Sequence, residues 1–243
     1  MNPNQNAAPM QIALDGPSAS GKSTVGAMLA ERLGSSFLDT GMMYRAVTHL
    51  TIKNRVSAKD LDAVQNIAAS TSFSVNQDES GDWRLFADGK DITDLLYSDE
   101  VNFKVSPISA IPALRRALVR QQRSIASAGP IVMAGRDIGT VVLADASIKV
   151  YLTASAATRA DRRTNDSDGN ADRQSYQQVL QSIQRRDQID SNREDSPLRP
   201  AEDAIIIPTD NLTAEEVVEE ILALIQSNAD QAAAPMIAGG QTA

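Results

Sequence analysis

Short apolar runs alternate with helical patterns along most of this chain: QIALD (11–15), VGAMLAERL (25–33), SFLD (36–39) and MMYRAVTHLTI (42–52), then PIVMA, IKVYL, AIIIP and EEVVEEILALI. Wholly apolar runs of this length suit strands covered on both faces, so the pattern predicts an α/β fold on a parallel sheet. The middle of the chain breaks the rhythm. SFSVN (72–76) and WRLFA (83–87), separated by QDESGD, predict a hairpin, and DGKDITDLL adds a turn and a short strand. Residues 57–105 therefore read as an antiparallel insert. From Ile108 through Ile111, Leu114, Leu118 and Ile125 the apolar spacing is helical, with Arg115, Arg116, Arg120 and Arg123 giving that helix a basic side. A second helical region, 155–190, is polar and Arg-rich and is interrupted by TNDSDGNAD; its few apolar anchors predict mobility. Residues 1–9 and 228–243 are too poor in large apolar groups to offset the entropy of ordering and read as disordered tails.

Composition narrows the function classes. A chain of 243 residues supports one large domain or a domain with a nested insert. It has no cysteine, which excludes disulfides, thiolate metal sites and thiol nucleophiles, and fits a reducing compartment, the cytoplasm by default. The one histidine, His49, sits in a helical apolar pattern, where a partly buried structural role is expected rather than a zinc ligand or a hydrolase base. A net charge of −8 argues against a basic surface for nucleic acid, so any bound anion is held locally. The cations are 17 Arg to 6 Lys, and the arginine fork suits bidentate phosphate recognition. No stretch approaches the ~20 apolar residues of a membrane helix, and the first residues lack the basic start and apolar run of an export signal.

The chemistry starts after the first strand. Gly16-Pro17-Ser18-Ala19-Ser20-Gly21-Lys22-Ser23-Thr24 is GxxxxGK[ST] with a strand before it and a helix after it. Gly16 and Gly21 let backbone N–H groups and the helix N-terminus face a polyphosphate, Lys22 reaches the β- and γ-oxygens, and the Ser23 hydroxyl ligates Mg²⁺. Such a loop serves GTPases, motor ATPases and small-metabolite kinases alike. The Asn/Thr-Lys-x-Asp guanine reader of GTPases does not occur here. A transfer enzyme needs a second anion clamp opposite the triphosphate. Asp39-Thr40-Gly-Met-Met-Tyr44-Arg45 and Gly135-Arg136-Asp137-Ile-Gly139-Thr140 each follow a strand, at the sheet edge where open α/β folds bind ligands. Each arginine alone is equally well a solvated side chain at a helix start; with the phosphate loop, three strand ends converge. Arg186, Asp190 and Arg193 share one helix face, as in an ordinary surface ion-pair ladder worth ~0.3–0.5 kcal/mol per pair.

GPSASGKST, DTGMMYR, GRDIGT, RRDQIDSNRE and SPLRPAEDA, in this order, resemble the bacterial cytidylate kinase family from about Ile12 to Leu224. That resemblance implies a P-loop nucleoside monophosphate kinase fold, a five-stranded parallel sheet flanked by helices. It also implies an acceptor-binding insert of antiparallel strands and helix (57–105) and a helical lid (155–190) on a core of 10–56, 106–154 and 191–227. The implied reaction moves the γ-phosphoryl of ATP, with Mg²⁺, to CMP or dCMP. By the same resemblance Arg45, Arg136 and Arg186 hold the acceptor phosphate, with Thr40 and Tyr44 beside them. Ser106, Arg115 and Asp137 read the cytosine edge, Asp190 and Arg193 meet the sugar, and Arg162 and Arg163 approach ATP from the lid. Lys22, Arg136 and Arg186 are the implied catalytic groups. A carboxylate such as Asp137 accepts from the cytosine amine, whereas UMP would set a carbonyl oxygen against it.

Two departures bear on this. The family usually carries an acidic residue two positions before the GRD arginine, where this chain has Ala134, and its last strand runs into Ile207-Pro208-Thr209-Asp210 rather than an Asp-Thr/Ser pair. Two rivals stay open: a kinase for UMP or a non-nucleotide acceptor, which Ser106, Arg115 and Asp137 discriminate, and an ATP-binding regulatory protein without transfer activity, for which Ala134 is the suspect. An Arg115 on the outer face of its helix would remove the base reader. A monomer is the default.

Overall fold

The computed structural model describes residues 9–165 and 175–233. Five strands form one parallel sheet: β1 (Gln11–Asp15), β2 (Ser36–Asp39), β6 (Ile131–Gly135), β7 (Ile148–Thr153) and β8 (Ile205–Pro208), in the order β2-β6-β1-β7-β8. Side chains alternate between its faces, as the strand period requires. Ala13, Leu38, Ile131 and Met133 enter one core, with helices α2 (Thr40–Lys53) and α5 (Pro112–Ala126). Ile12, Leu14, Val132, Ala134 and Val150 enter the other, with α1 (Lys22–Leu33) and α8 (Ala214–Ala233). The central strand β6 is therefore buried at every position, β1 nearly so, and only the edge strand β8 leaves apolar side chains, Ile205 and Ile206, exposed. The proline ending β8 falls on an edge strand, where its missing N–H breaks no ladder.

The insert holds α3 (Leu61–Ser70), an antiparallel sheet of β3 (Phe73–Gln77), β4 (Trp83–Ala87) and β5 (Lys90–Asp91), and α4 (Asp99–Ser109). It has no core of its own among the described residues. Phe73, Leu85, Ala87, Ile92 and Leu96 belong to the same cluster as Leu38 and Met133 of the main sheet, so the insert is fixed to the core by shared packing. On its other side Trp83 meets Phe37 of β2 edge to face, ring centroids 6.2 Å apart.

The single helix expected from Ile108 to Ile125 is two. Ile108 lies in the last turn of α4, Ile111 caps α5, and Pro112 takes the first position of α5, where its missing N–H leaves no bond unmade. The polar, Arg-rich region holds α6 (Ala156–Asn165) and α7 (Tyr176–Asn192), packed through the small cluster Ala160, Val179 and Ile183 with Tyr176 and Leu180. Ser175 and Gln178 cap α7 reciprocally. Most of TNDSDGNAD lies outside the described residues, as do residues 1–8 and 234–243; α8 runs to Ala233, past the start of the expected tail at 228. Among the described residues no helix is long and apolar enough to cross a membrane.

Candidate active site

The C-terminal strand ends carry the site. After β1 the loop turns through Gly16 at φ 147°, where an added Cβ would stand 2.1 Å from the Leu152 carbonyl oxygen, and through Gly21 at φ 94°, which opens α1. Only glycine fits the first of these positions. Lys22 begins α1 and folds back, its Nζ donating to the Pro17 carbonyl at 2.5 Å and to Ser20 Oγ at 3.1 Å. Burial holds its pKa well below the ordinary 10.5, and the nearby Arg136 adds to that depression.

After β2, Asp39 caps α2 by accepting from the Gly41 amide at 2.9 Å, and its other oxygen accepts from the Ser23 hydroxyl at 2.6 Å. Thr40 donates to the Ala134 carbonyl at 2.9 Å, tying the β2 and β6 ends together. Arg45, one turn on, is buried; it donates to Asn102 Oδ1 at 2.7 Å and to the Leu96 carbonyl at 3.1 Å, and lies 4.9 Å over the Tyr97 ring. Burial lowers its pKa.

After β6 come Arg136 and Asp137. Arg136 donates to Asp190 at 3.0 Å. Asp137 receives Arg115 at 2.5 Å, and both side chains are almost fully enclosed, 4 % and 2 % exposed. Arg115 thus points inward, stacked 5.1 Å over Tyr44, while its neighbour Arg116 is exposed. Arg193 stands 3.8 Å from Asp137 and 3.9 Å from Asp190. Arg186 reaches Ser18 Oγ at 3.5 Å; burial and Arg136 push its pKa down to about 10. From α6, Arg162 donates to the hydroxyl of Thr209 at 3.0 Å and to its carbonyl oxygen. Asp15, at the end of β1, accepts from the amides of Ile138 and Gly139, each at 2.7 Å, and so locks the turn after Asp137 to the root of the phosphate loop. Burial pushes the Asp15 carboxyl up to about 6.

Most of these groups line one cavity of about 570 Å³. Its walls carry Lys22 and seven arginines (45, 115, 136, 162, 163, 186, 193) against three carboxylates, Asp39, Asp137 and Asp190. Eight cations facing three anions, in a chain of net charge −8, make a site for polyanions. Two buried donors in it, Arg115 Nε and Arg193 Nη2, have no hydrogen-bond partner. Of the sequence-predicted residues, Ser18 to Thr24, Thr40, Tyr44, Arg45, Arg115, Arg136, Asp137, Arg162, Arg163, Arg186, Asp190 and Arg193 all line it. Gly16, Pro17 and Ser106 do not. The first two shape the loop from behind, and Ser106 sits one turn before Ser109, the α4 serine that does line the cavity. Sequence reasoning gave no role to Asp39, Tyr97 and Thr209. Asp39 had a signal, as first residue of the quoted DTG motif, and Thr209 stands where the family's last strand runs into an Asp-Thr/Ser pair; Tyr97 had none, because only the folded insert brings it to the cavity.

Comparison with known proteins places these features in context. The family model described as cytidylate kinase matches residues 12–227. The cytidylate kinase of Rhodococcus opacus is 44% identical over 217 residues, covering 88% of this chain and 93% of the relative. That of Carboxydothermus hydrogenoformans is 41% identical, covering 89% and 97%, and that of Streptococcus pneumoniae 44%, covering 88% and 96%.

Proposed function

The chain belongs to the cytidylate kinase family, and from that premise we propose how its own residues carry the transfer of the γ-phosphoryl group of ATP to CMP or dCMP. The observation that supports it best is the cation-rich cavity, with a phosphate loop and a buried Arg115–Asp137 pair among its walls. Loop amides and Lys22 hold the β- and γ-phosphates, and Arg162 and Arg163 cover ATP from the lid. Arg45, Arg136 and Arg186 hold the acceptor phosphate, assisted by Thr40 and Tyr44. Arg136 and Arg186 flank the transferring group and stabilise its spreading charge. No strong base is needed, since the transition state is loose and positioning supplies most of the rate.

Magnesium, when bound with ATP, would supply charge neutralisation at the phosphate oxygens. The Ser23 hydroxyl and Asp39 carboxylate, 2.6 Å apart, form an all-oxygen donor set that fits it. Asp39 stands beside Ala134 in the β2–β6 register, so a carboxylate reaches this edge from the neighbouring strand although Ala134 itself offers only its carbonyl to Thr40. That weighs against a regulatory protein without activity.

For the base, Asp137 keeps lone pairs for the cytosine amine after pairing with Arg115, and the unpartnered Arg115 Nε is a donor for the ring acceptors. Ser106 or Ser109 of α4 supplies a hydroxyl on the same side, and Asp190 and Arg193 take the sugar. The Asp137→Asn variant is expected to narrow the CMP-to-UMP ratio of kcat/KM by on the order of 10- to 100-fold, since an amide can donate to the uracil carbonyl. An unchanged ratio would place base recognition elsewhere.

The test of the whole reading is ADP release from ATP and Mg²⁺ with CMP, dCMP, UMP, AMP, GMP or no acceptor. Rapid release with CMP and dCMP, weak release with UMP and none otherwise is the expected pattern. Hydrolysis without acceptor, or preference for another acceptor, would overturn it. The enzyme is taken to act as a monomer on free nucleotides in the cytoplasm, a reading that its cysteine-free, acidic composition favours; its mass in solution checks the first point.

A further inference from the structure

Arg159 lies outside the cavity and yet is among the most tightly held side chains of the molecule. It is 5 % exposed. From α6 its Nε donates to the Ala154 carbonyl at 3.0 Å and its Nη1 to the Ser18 carbonyl of the phosphate loop at 3.1 Å. Nη1 and Nη2 together grip Asp187 of α7, at 3.1 and 2.6 Å. A bidentate, charge-assisted pair of this kind fixes direction as well as distance.

The neighbours of that pair explain why its position matters. Asp187 directly follows Arg186, and Asp190 lies three residues on. Ser18 is held twice from the lid, through its carbonyl by Arg159 and through its hydroxyl by Arg186 at 3.5 Å. The small apolar cluster between α6 and α7 includes no residue of the phosphate loop, whereas the polar brace reaches the Ser18 carbonyl.

We propose that Arg159 and Asp187 are positioning residues: their ion pair, anchored on the Ser18 carbonyl, sets α7 so that Arg186 and Asp190 meet the transferring group and the acceptor. This rests on the functional reading above. The pair lies outside the cavity lining and acts through Arg186, so its loss lowers turnover more than it changes ATP binding. Without the brace α7 samples open positions and Arg186 is out of place for most of the time.

The experiment compares wild type, Asp187→Asn, Arg186→Ala and the double variant in CMP-dependent ADP release, together with hydrogen exchange of the α7 amides in the presence of Mg²⁺ and a non-hydrolysable ATP analogue. Asp187→Asn is expected to lower kcat on the order of 10- to 100-fold with little change in KM for ATP. The double variant should be no slower than Arg186→Ala, because the two changes remove one function. Amides of α7 should exchange faster in Asp187→Asn, and those of β1 and α5 at the wild-type rate. Wild-type kcat with unchanged α7 exchange, or losses that multiply in the double variant, would overturn the proposal. Were Asp187→Asn not to fold, Arg159→Lys makes the same comparison, since one ammonium cannot span Asp187 and the Ser18 carbonyl as the fork does. If the wild type releases no ADP with CMP, the functional reading fails, and the exchange rates alone decide the brace: faster in the variant supports it, unchanged rejects it.

Discussion

Lys22→Ala is expected to yield a folded protein whose phosphoryl transfer to CMP has fallen by roughly 10³-fold or more, the scale set by removing one preorganised group from developing charge. The amine is buried, and its hydrogen bonds go to a carbonyl and a hydroxyl, at 2.5 and 3.1 Å. Burial and the flanking arginines depress its pKa, so the protonated lysine sits at a raised free energy that a bound polyphosphate relieves. The sign of the pH effect follows. Between the depressed value and 10.5 the unfolded chain binds more protons than the folded one, so wild-type stability rises with pH through that window. The alanine variant should lose this slope and be no less stable than wild type at neutral pH. Urea titrations at several pH values, with steady-state ADP release, check both parts; retained turnover would remove Lys22 from the chemistry.

Arg186→Ala is expected to lower kcat on the order of 10²- to 10³-fold with the thermal midpoint little changed. Among the described residues its one side-chain hydrogen bond is the long contact with Ser18, whereas Arg136 is anchored by Asp190 at 3.0 Å. A guanidinium that is partly buried, loosely held and depressed to about 10 by burial and by Arg136 is poised for an incoming charge. Arg186→Lys should recover little, because a point charge does not reproduce the planar fork. Wild-type kcat in either variant would refute the role.

The sequence makes the sheet legible because its central strands β1 and β6 are buried on both faces and are therefore plain apolar runs. It makes the cavity legible because phosphate loop, DTG and GRD motifs all fall at strand ends, and Arg115, half-hidden among four arginines in one helix, proves to be the inward one. Other features depend on distant packing. The break between α4 and α5 lay in Pro112, whose place at a helix start reads from sequence as easily as a helix interior kink. That the insert shares the main core could not be read from 57–105, since its apolar residues do not name their partners. The partner of Arg159, Asp187, is 28 residues away on another helix, and nothing in the spacing of either pairs them.

Trp83 is the chain's one tryptophan, and it stands where the insert leans on β2, its ring against Phe37. The molecule thus carries its own optical gauge at that seam. Emission from this indole follows any shift of insert against sheet with no label attached, and titrating it with CMP in the absence of ATP separates capture of the acceptor from the chemical step.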